Sequence, residues 1–497
     1  MSERIDFKAD DPTMVDFLLS TPFFNGLERE QMEKFAAHLY REKYSAGEYV
    51  YQQGEKAKCA YVVEKGIFAY EMFGRITTTF DKGELFGLLP LFEEKNVKGI
   101  LKALEESVVI CIEYDLITRD DILSSKAMLS IYREFSKHIA TYLQEEADLY
   151  RFMDVLIIED GGCAPGKNPI IAFLTEALEK AGRQVFITAE GYRSLVSGKD
   201  EDFRCLINNP KIFNLFDHIP GVIFTPPLRD ARGANFRSER FPEFREVANQ
   251  KKAVENALSR HVKIVIGVGG NGTFGGLKAF ASHLPDHVQV FFVPVTIDSD
   301  VHGTETIGQH TGVEAGSEKV RCYMADARTH HRCYIVEMMG AMGGFHALNS
   351  CIGAGAHLAV LPGLEYDIPR IAKALEEKES AVIVVAEGYR KEERKEKNFC
   401  GNAAEYFRDM LLAAGLKTRM KIYCEPFSRD IRGASPNNID IALTQRMAKK
   451  VVELASQGRS RVMPAIRGIQ TSSIPFEEIT TDNSVGEELA KIANRLY

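Results

Sequence analysis

One stretch decides the fold of this 497-residue chain: Ile264-Val265-Ile266-Gly267-Val268-Gly269-Gly270-Asn271-Gly272-Thr273. It predicts a buried strand ending in a glycine turn, which lets backbone N–H groups approach a phosphate. A second apolar run leads into Thr296-Ile297-Asp298-Ser299-Asp300, where two carboxylates lie two residues apart. They could take a proton or hold a metal ion. Together the two stretches indicate phosphoryl transfer, although Asn271 is neutral where such a site would gain from an acid.

Composition and charge restrict the class of protein. The chain is 45% apolar and 27% charged, with a formal net charge of −8; its length predicts two or three domains. It has no apolar stretch of membrane-spanning length and no signal-peptide pattern in residues 1–20. The acidic balance argues against a nucleic-acid partner. The nine cysteines lack metal-ligand spacing, so we expect free thiols in a cytoplasmic protein without a membrane partner.

The sequence divides into two parts with different patterns, residues 1–150 and 151–497. In the first part, a short helix at 28–39 precedes compact strands separated by closely spaced glycines. This pattern predicts an antiparallel β-roll or barrel. An apolar stripe between Met128 and Leu143 recurs at helical spacing and predicts a helix packed on the roll.

The second part alternates strand and helix patterns, which predicts a mostly parallel sheet covered by helices. The strands are predicted at 155–158, 185–187, 264–268, 288–293, 334–337, 358–361 and 381–386. Ligands of such sheets bind outside the carboxyl ends of the strands, where most of the glycine turns fall. The charged run 390–397 predicts a solvated loop or helix face.

An ordered series of motifs across residues 152–497 resembles the phosphofructokinase family. The motifs occur at 161–168, 238–245, 269–273, 296–300, 332–340, 386–388 and 432–436. Taken alone, the glycine turn at Gly162 is more typical of an ordinary strand-to-helix turn, and Asp298-Ser299-Asp300 of a turn or helix cap. The resemblance implies an α/β domain of two three-layer subdomains and a homo-oligomer, a dimer or tetramer.

The resemblance also implies an activity, that of an ATP-dependent 6-phosphofructokinase making fructose 1,6-bisphosphate from fructose 6-phosphate with Mg²⁺. Asp298 would be the general base, Asp300 would assist it, and Thr296 would hydrogen-bond the substrate or the transferred group. Asn271 and Asp298 would hold the metal. The nucleotide would be bound by Gly162, Tyr192, Arg240, Gly270, Asn271, Gly272 and Thr273.

The sugar-phosphate site implied by the resemblance is completed by a neighbouring subunit. It comprises Arg332, Met339, Gly340, Glu387 and Arg432, with Lys421 and Arg429 as further candidates. Arg332 would reach across the subunit interface. Which of Lys421 and Arg429 serves as the second phosphate-gripping residue is left open, because the segment 421–432 departs from the usual family pattern.

Several departures from the family pattern leave three functional hypotheses. Gly272 leaves room for a nucleotide and favours ATP as donor, whereas Val295 matches neither the ATP nor the pyrophosphate branch. Asn271 replaces a metal-binding aspartate and Ala341 replaces an arginine, which should weaken metal binding and charge neutralisation. The alternatives to the ATP-dependent kinase are therefore a pyrophosphate-dependent enzyme and a weakly active or non-catalytic sensor.

Residues 15–150 resemble a cyclic-nucleotide-binding domain in the order of their glycine-marked motifs, including 45–50, 61–66 and 83–87. Leu88 stands where the family's ribose-binding glutamate is expected, and Val97 stands in place of the phosphate-binding arginine. Neither side chain can make the expected contact. The resemblance therefore implies a degenerate regulatory roll, used for subunit contact or for another signal, unless Lys98 or Lys102 rescues anion binding.

Overall fold

The computed structural model divides into two compact units. The first comprises residues 1–152 with the short segments 182–184 and 209–222, and the second comprises the remainder. The structure describes residues 3–5, 12–24, 26–56, 59–72, 75–87, 97, 99–117, 119, 122–146, 150, 152–216, 219–237, 241–427, 429–481, 485 and 487–496.

The first unit contains two antiparallel sheets, which confirms the predicted β-roll. One has the strand order β1-β2-β9-β4-β7 and the other β3-β8-β5-β6. The strands are β1 (Glu3–Ile5), β2 (Tyr40–Tyr44), β3 (Tyr49–Tyr51), β4 (Cys59–Lys65), β5 (Phe68–Met72), β6 (Arg75–Phe80), β7 (Leu85–Phe86), β8 (Ile100–Ala103) and β9 (Ser107–Glu113). The helices are α1 (Pro12–Ser20), α2 (Arg29–Ala36), α3 (Tyr114–Ile117) and α4 (Ser125–Glu146).

Aromatic rings fill the interior of the roll. Phe86 stacks on Tyr61 with ring centroids 5.1 Å apart and contacts Phe68 at 5.4 Å and Phe80 at 5.2 Å. A separate apolar cluster joins α1, α2 and α4 to the outer face of one sheet. Helix α4 confirms the helix predicted from the apolar spacing; of the predicted stripe, Phe135 is buried, Met128 and Tyr132 pack against the cluster, and Leu129 is exposed.

The second unit is built on an eight-stranded sheet with the order β13-β12-β11-β10-β14-β15-β20-β21. Its central strands β11, β10, β14, β15 and β20 are parallel, while β12 and β21 pair antiparallel with their neighbours. The strands are β10 (Val155–Glu159), β11 (Val185–Thr188), β12 (Phe203–Ile207), β13 (Val222–Phe224), β14 (Ile264–Gly269), β15 (Gln289–Pro294), β20 (Val462–Arg467) and β21 (Gln470–Pro475).

A smaller, wholly parallel sheet completes the second unit, with the order β17-β18-β16-β19. Its strands are β16 (Arg332–Met338), β17 (Leu358–Val360), β18 (Ala381–Ala386) and β19 (Lys421–Phe427). All seven predicted strands overlap observed ones, so the mostly parallel α/β architecture is confirmed. The strands β12, β13, β19, β20 and β21 were not predicted from the sequence. The side chains of β19 and β21 are mostly half-buried or exposed, whereas those of β12 and β20 are mostly buried.

Helices follow most of these strands, as the alternating pattern predicted. They are α5 (Lys167–Lys180), α6 (Gly191–Ser197), α7 (Pro210–Phe216), α8 (Val247–Ser259), α9 (Asn271–Ala281), α10 (Gln309–His330), α11 (Phe345–Ala354), α12 (Ile368–Glu376), α13 (Lys391–Glu396), α14 (Ala403–Ala413), α15 (Arg429–Arg432), α16 (Asn438–Ser456) and α17 (Glu487–Ile492). Helix α7 belongs to the segment grouped with the first unit. The charged run 390–397 forms α13, a helix without buried residues.

Candidate functional site

Three neighbouring parallel strands bring the decisive turns to one edge of the large sheet. Strand β14 is buried along its whole length and pairs with β10 on one side and β15 on the other. Because carboxyl ends of parallel strands meet at one edge, the turns after β10, β14 and β15 lie side by side. These turns contain Gly161-Gly162, Gly269-Gly270 and Thr296 to Asp300, respectively.

The close approach of these turns requires glycine. A β-carbon on Gly269 would lie 2.2 Å from Thr273 Oγ1 and 2.6 Å from the carbonyl oxygen of Asp160. A β-carbon on Gly270 would lie 3.3 Å from Thr296 Oγ1. Glycine is therefore required at this turn, because the side chain of Thr273 and the backbone of Asp160 leave no room for a β-carbon at Gly269, and the side chain of Thr296 leaves little at Gly270.

Helix α9 begins at Asn271 directly after this turn. Its preceding residue, Gly270, offers no side-chain cap, so the first backbone N–H groups and the positive end of the helix dipole remain available for an anion. Nothing lies within 4 Å of the position that a β-carbon on Gly272 would take. Asn271 is half-buried and Thr273 is buried. The predicted nucleotide-binding residues Gly270, Asn271, Gly272 and Thr273 are thus together at one helix N-terminus.

Charged residues missed by the sequence reasoning lie beneath the first glycine turn. Lys167, buried at the start of α5, donates to the carbonyl oxygen of Asp160 at 2.8 Å and forms an ion pair with buried Glu159 at 3.4 Å. Thr273 Oγ1 lies 3.4 Å from a carboxylate oxygen of Asp160. Burial raises the pKa of Asp160, opposed by the Gly161 N–H, by Lys167 and by Thr273. The hydrogen bond from Lys167 to the Asp160 carbonyl therefore stabilises the backbone at the start of the first glycine turn.

The paired carboxylates Asp298 and Asp300 lie in a partly buried turn after β15. The Asp298 N–H donates to Thr296 Oγ1 at 3.0 Å, and Ser299 between the two carboxylates adopts a left-handed φ of 51°. Oxygen Oδ1 of each aspartate is buried and has no hydrogen-bond partner among the described residues. Burial raises the pKa of Asp298, opposed by the charge of Arg432. Burial, followed by the charge of Asp298, raises the pKa of Asp300 to about 6.

His346 on α11 holds the residue that precedes Asp298. The ring is fully buried, and Nε2 donates to the carbonyl oxygen of Ile297. Burial lowers the pKa of His346 to about 4, so the imidazole is neutral. A β-carbon on Gly312 of α10 would lie 2.4 Å from the ring, which makes room for histidine. The sequence reasoning missed this contact, because the two partners are 49 residues apart.

The smaller sheet presents its carboxyl edge to the same site. Burial raises the pKa of Glu387, which follows β18; the Ala341 N–H opposes this rise, and the charge of Asp298 contributes to it. Met339 and Gly340 follow β16, and Ala341 next to them has a left-handed φ of 52°. The structure therefore brings Glu387, Met339 and Gly340 together at the carboxyl edge of the smaller sheet, where the Glu387 N–H donates to the Met338 carbonyl at 2.9 Å. Helix α11, which follows this edge, contacts the turn of the aspartates through His346.

Two of the predicted sugar-phosphate residues lie at the other end of the smaller sheet. Arg332 and Lys421 are register partners at the amino ends of β16 and β19. Seven residues at ~3.3 Å each place Arg332 about 23 Å from Met339. Arg332 donates to Asp326 at 2.8 Å and lies over the ring of Tyr423, which Lys421 also contacts. Within one chain these two cations do not join the aspartates.

Arg429 and Arg432 follow the carboxyl end of β19 in the short helix α15. Arg429 is exposed. Arg432 Nη1 donates to the carbonyl oxygen of Cys163, in the first glycine loop, at 3.2 Å. Arg432, predicted as a sugar-phosphate residue, thus contacts the loop predicted to bind the nucleotide.

Two further residues, Tyr192 and Arg240, were predicted to bind the nucleotide. The Tyr192 ring is 3% exposed, stacks on Phe244 at 4.3 Å, and its hydroxyl donates to the Thr273 carbonyl at 2.8 Å. This contact supports the first turn of α9; a nucleotide contact from Tyr192 stays a prediction. Arg240 lies outside the described residues.

The donor set at the site fits a magnesium ion that is shared with a substrate. Mg²⁺ is usually held by one or two carboxylates, with water and phosphate oxygens completing the shell. The buried Oδ1 atoms of Asp298 and Asp300, which have no hydrogen-bond partner among the described residues, are carboxylate oxygens of the kind that would fit this role. The described part of the chain contains no group of three or more His, Cys, Asp or Glu side chains that could hold a metal. Substrate and water oxygens would therefore have to complete the coordination of the ion.

In the first unit, two of the residues considered for cyclic-nucleotide binding, Val97 and Lys102, are engaged in contacts within the roll. Val97 is 2% exposed and pairs through its backbone with Gly54 and Glu55. Lys102 forms an ion pair with Glu71 at 2.5 Å, so its charge is already neutralised. Leu88 and Lys98 lie outside the described residues. None of the helices in the described segments is both long and apolar enough to cross a bilayer.

A buried parallel sheet that carries a glycine turn, a helix N-terminus and two aspartates at one edge defines an α/β protein; Oδ1 of each aspartate has no hydrogen-bond partner among the described residues. The family model "Phosphofructokinase" matches residues 154–455. Since this match covers more than half of the sequence, the chain belongs to the phosphofructokinase family. A cyclic nucleotide-binding domain model matches residues 41–119, which confirms the predicted fusion of the two domains.

Curated relatives agree with this assignment. An "ATP-dependent 6-phosphofructokinase" of Staphylococcus epidermidis is 29% identical over 349 residues, covering 68% of this chain and 98% of the relative. A protein of the same name from Cytophaga hutchinsonii is 27% identical over 352 residues, covering 69% and 97%.

Solved structures support the fold alone, because their identities are low. Phosphofructokinase from Saccharomyces cerevisiae has a TM-score of 0.55 and 20% identity, over 66% of this chain and 45% of that chain. A pyrophosphate-dependent phosphofructokinase from Nitrosospira multiformis also has a TM-score of 0.55, with 16% identity, over 69% and 91%.

Proposed function

We propose that the chain is an ATP-dependent 6-phosphofructokinase, transferring the γ-phosphoryl group of ATP to fructose 6-phosphate to give fructose 1,6-bisphosphate and ADP. The observation that carries this proposal is Asp298. Its buried, unpartnered carboxylate oxygen lies in the turn next to the glycine turn and the N-terminus of α9. The names of the curated relatives support the same activity.

Asp298 would accept the proton of the sugar hydroxyl that attacks the γ-phosphorus. A new O–P bond forms as the bond from the γ-phosphorus to its bridging oxygen breaks, and ADP leaves with that electron pair. Burial raises the pKa of Asp298, which brings its basicity closer to that needed near neutral pH. Thr296 holds the Asp298 backbone, and the free N–H groups of α9 would bind the nucleotide phosphates.

Asp298 with Asp300, and the amide of Asn271 at the α9 N-terminus, would hold Mg²⁺. The ion supplies charge neutralisation and alignment of the phosphates when bound. Asn271 contributes an oxygen without a charge, so it would hold the ion more weakly than an aspartate at the same position would. This residue is the reason to test the non-catalytic sensor directly.

Gly272 supports ATP as the donor. The space beside its α-carbon is open, as a nucleotide would require. Val295, by contrast, is 2% exposed and pairs with Ile307 in a β-bridge. Its uncharged side chain offers no ionic contact to pyrophosphate.

The sugar phosphate would be held by residues from two subunits. Within the chain, Glu387 and Met339 would contact the sugar, and Arg432 would grip its phosphate, with Arg429 as a further candidate. Arg332 and Lys421, about 23 Å away along the sheet, would act on the site of a neighbouring copy. This division supports a homo-oligomer, whose size and cytoplasmic location stay predictions. The roll would then be a regulatory domain with a degenerate cyclic-nucleotide site.

A donor comparison tests this proposal. Fructose 1,6-bisphosphate formation is coupled to aldolase and followed with ATP, with pyrophosphate and with neither, at saturating Mg²⁺. We expect turnover with ATP. Absence of turnover at micromolar wild-type enzyme, alongside an active Asn271→Asp variant, would rule out the kinase, and calorimetry showing ligand binding without turnover would then favour the sensor. Turnover with pyrophosphate alone would favour the pyrophosphate-dependent enzyme.

A further inference from the structure

The two aspartates after β15 lie in a loop whose ends meet. Val295 pairs with Ile307 in a β-bridge, and the Thr296 N–H donates to the Ile307 carbonyl at 3.0 Å. Residues 297–306, between these ends, include both aspartates. The direction of each carboxylate therefore depends on how the backbone runs inside a closed loop, and not on the regular geometry of a strand or helix.

Ser299 separates the two aspartates and has a left-handed backbone, with a φ of 51°. Side chains other than that of asparagine rarely adopt this conformation, because the β-carbon crowds a backbone carbonyl oxygen. Since Asp298 and Asp300 are attached on either side of Ser299, a change in its backbone angles would rotate one carboxylate relative to the other. A contact that holds Ser299 in this conformation therefore also fixes the relative direction of the carboxylates.

Gln309, the first residue of α10, provides such a contact. Its Oε1 accepts from the Ser299 hydroxyl at 3.3 Å, from the Thr306 hydroxyl at 2.9 Å and from the Thr306 N–H at 3.2 Å. A backbone N–H can only donate, so the atom that it faces is the amide oxygen. Gln309 is 8% exposed and Thr306 is fully buried. One buried oxygen thus joins Ser299 in the middle of the loop to Thr306 at its end.

The start of α10 is itself anchored to α16. The fully buried carboxylate of Asp440 accepts from the Gly308 N–H at 3.0 Å and from the Thr311 N–H at 2.7 Å. These two bonds hold the backbone on both sides of Gln309. The amide that contacts Ser299 therefore projects from a fixed point outside the loop.

We propose that Gln309 is a positioning residue for phosphoryl transfer: its bond to the Ser299 hydroxyl keeps the backbone between Asp298 and Asp300 left-handed. This proposal rests on the proposed kinase function, in which Asp298 accepts the proton of the sugar hydroxyl. Without the bond, Ser299 relaxes towards the ordinary backbone regions and the Asp298 carboxylate turns away from that hydroxyl. Catalysis is sensitive to such a change, because a displacement of about 1 Å can cost about 10² in rate.

Two single substitutions test the proposal by kinetics. Gln309→Met removes the acceptor at a similar side-chain length and should lower kcat by on the order of 10², with KM for fructose 6-phosphate changing by less than about threefold. Ser299→Ala removes the same bond but leaves Thr306 paired with Gln309, and should also lower kcat. Ser456→Ala, which changes an exposed serine at the end of α16, is the control and should keep wild-type kcat. Wild-type kcat in Ser299→Ala would overturn the proposal.

A rescue variant separates positioning from a general loss of stability. Asparagine adopts the left-handed region more readily than serine, so Ser299→Asn added to Gln309→Met should recover most of the lost kcat. The double variant should still unfold at a lower urea concentration than wild type, because the buried Thr306 N–H lacks its acceptor. Failure of Ser299→Asn to raise the kcat of Gln309→Met would show that Gln309 does not act through the Ser299 backbone.

Crystal structures of the variants give a readout that does not depend on turnover. We expect position 299 to leave the left-handed region in Gln309→Met and to return to it when Ser299→Asn is added. A φ that stays near 51° in Gln309→Met would overturn the proposal whether or not the protein is active. A wild type without turnover would contradict the proposed function, while the φ of position 299 in these structures would still decide whether Gln309 holds the loop.

Discussion

The neutral, buried histidine behind Asp298 makes the stability of the protein depend on pH in a calculable way. Burial lowers the pKa of His346 from 6.5 to about 4. Between these values the unfolded chain binds a proton that the folded chain does not, so stability rises with pH and is lost as the pH falls from 6.5 towards 4. The full difference corresponds to about 3 kcal/mol, of which about 2 kcal/mol is lost at pH 5.

The perturbation that isolates this contribution is His346→Gln, which does not titrate and whose amide reaches far enough to donate to the Ile297 carbonyl. The chain contains no tryptophan, so urea unfolding is followed by circular dichroism at pH 7.5 and pH 5. Other groups, including Asp298 and Asp300, titrate in both proteins, and the comparison removes their shared contribution.

We expect wild type to lose about 2 kcal/mol more than His346→Gln between the two pH values. The free energies of unfolding should differ by a constant amount above pH 7.5. Equal pH dependence in the two proteins would refute the neutral, buried histidine. His346→Leu serves as a second variant, because it leaves the Ile297 carbonyl unsatisfied, and we expect it to lower kcat more than the glutamine variant does.

Three further predictions concern the nucleotide edge and the roll. Asn271→Asp adds a carboxylate at the start of α9 and should lower the Mg²⁺ concentration for half-maximal activity by about tenfold. An unchanged Mg²⁺ concentration for half-maximal activity would mean that Asn271 does not bind the metal. Tyr192→Phe removes the 2.8 Å bond to the Thr273 carbonyl and should cost about 1 kcal/mol in urea unfolding, whereas an unchanged midpoint would mean that this bond adds no stability. Cyclic AMP at millimolar concentration should give no binding heat and no change in turnover, because Val97 is buried and Lys102 is paired; saturable micromolar binding would contradict this.

The sequence predicted those features that depend on local pattern. The apolar run before Gly269 is a fully buried strand, and the alternation of strand and helix patterns predicted that the strands beside it are parallel, although not their order. The glycine turns were recognisable because glycine is required where backbones meet. The edge strand β19 escaped notice because half-exposed residues leave no continuous apolar run.

The parts of the site that were not predicted depend on contacts between distant residues. His346 meets Ile297 across 49 residues, and Arg432 meets Cys163 across 269. No spacing rule within one segment encodes such pairs. The Glu159–Lys167 ion pair is nearer in sequence, but a lysine after a glycine turn gives no indication that it points into the core.

The most direct test of the central claim is the turnover of Asp298→Asn against its matched control Asp286→Asn. Asp286 is 96% exposed and lies before the amino end of β15, whereas Asp298 follows its carboxyl end. If Asp298 is the general base for transfer from ATP to fructose 6-phosphate, its variant should lose about 10²–10⁴ in kcat and keep its fold, while the control keeps wild-type kcat. Wild-type turnover in Asp298→Asn would contradict the account.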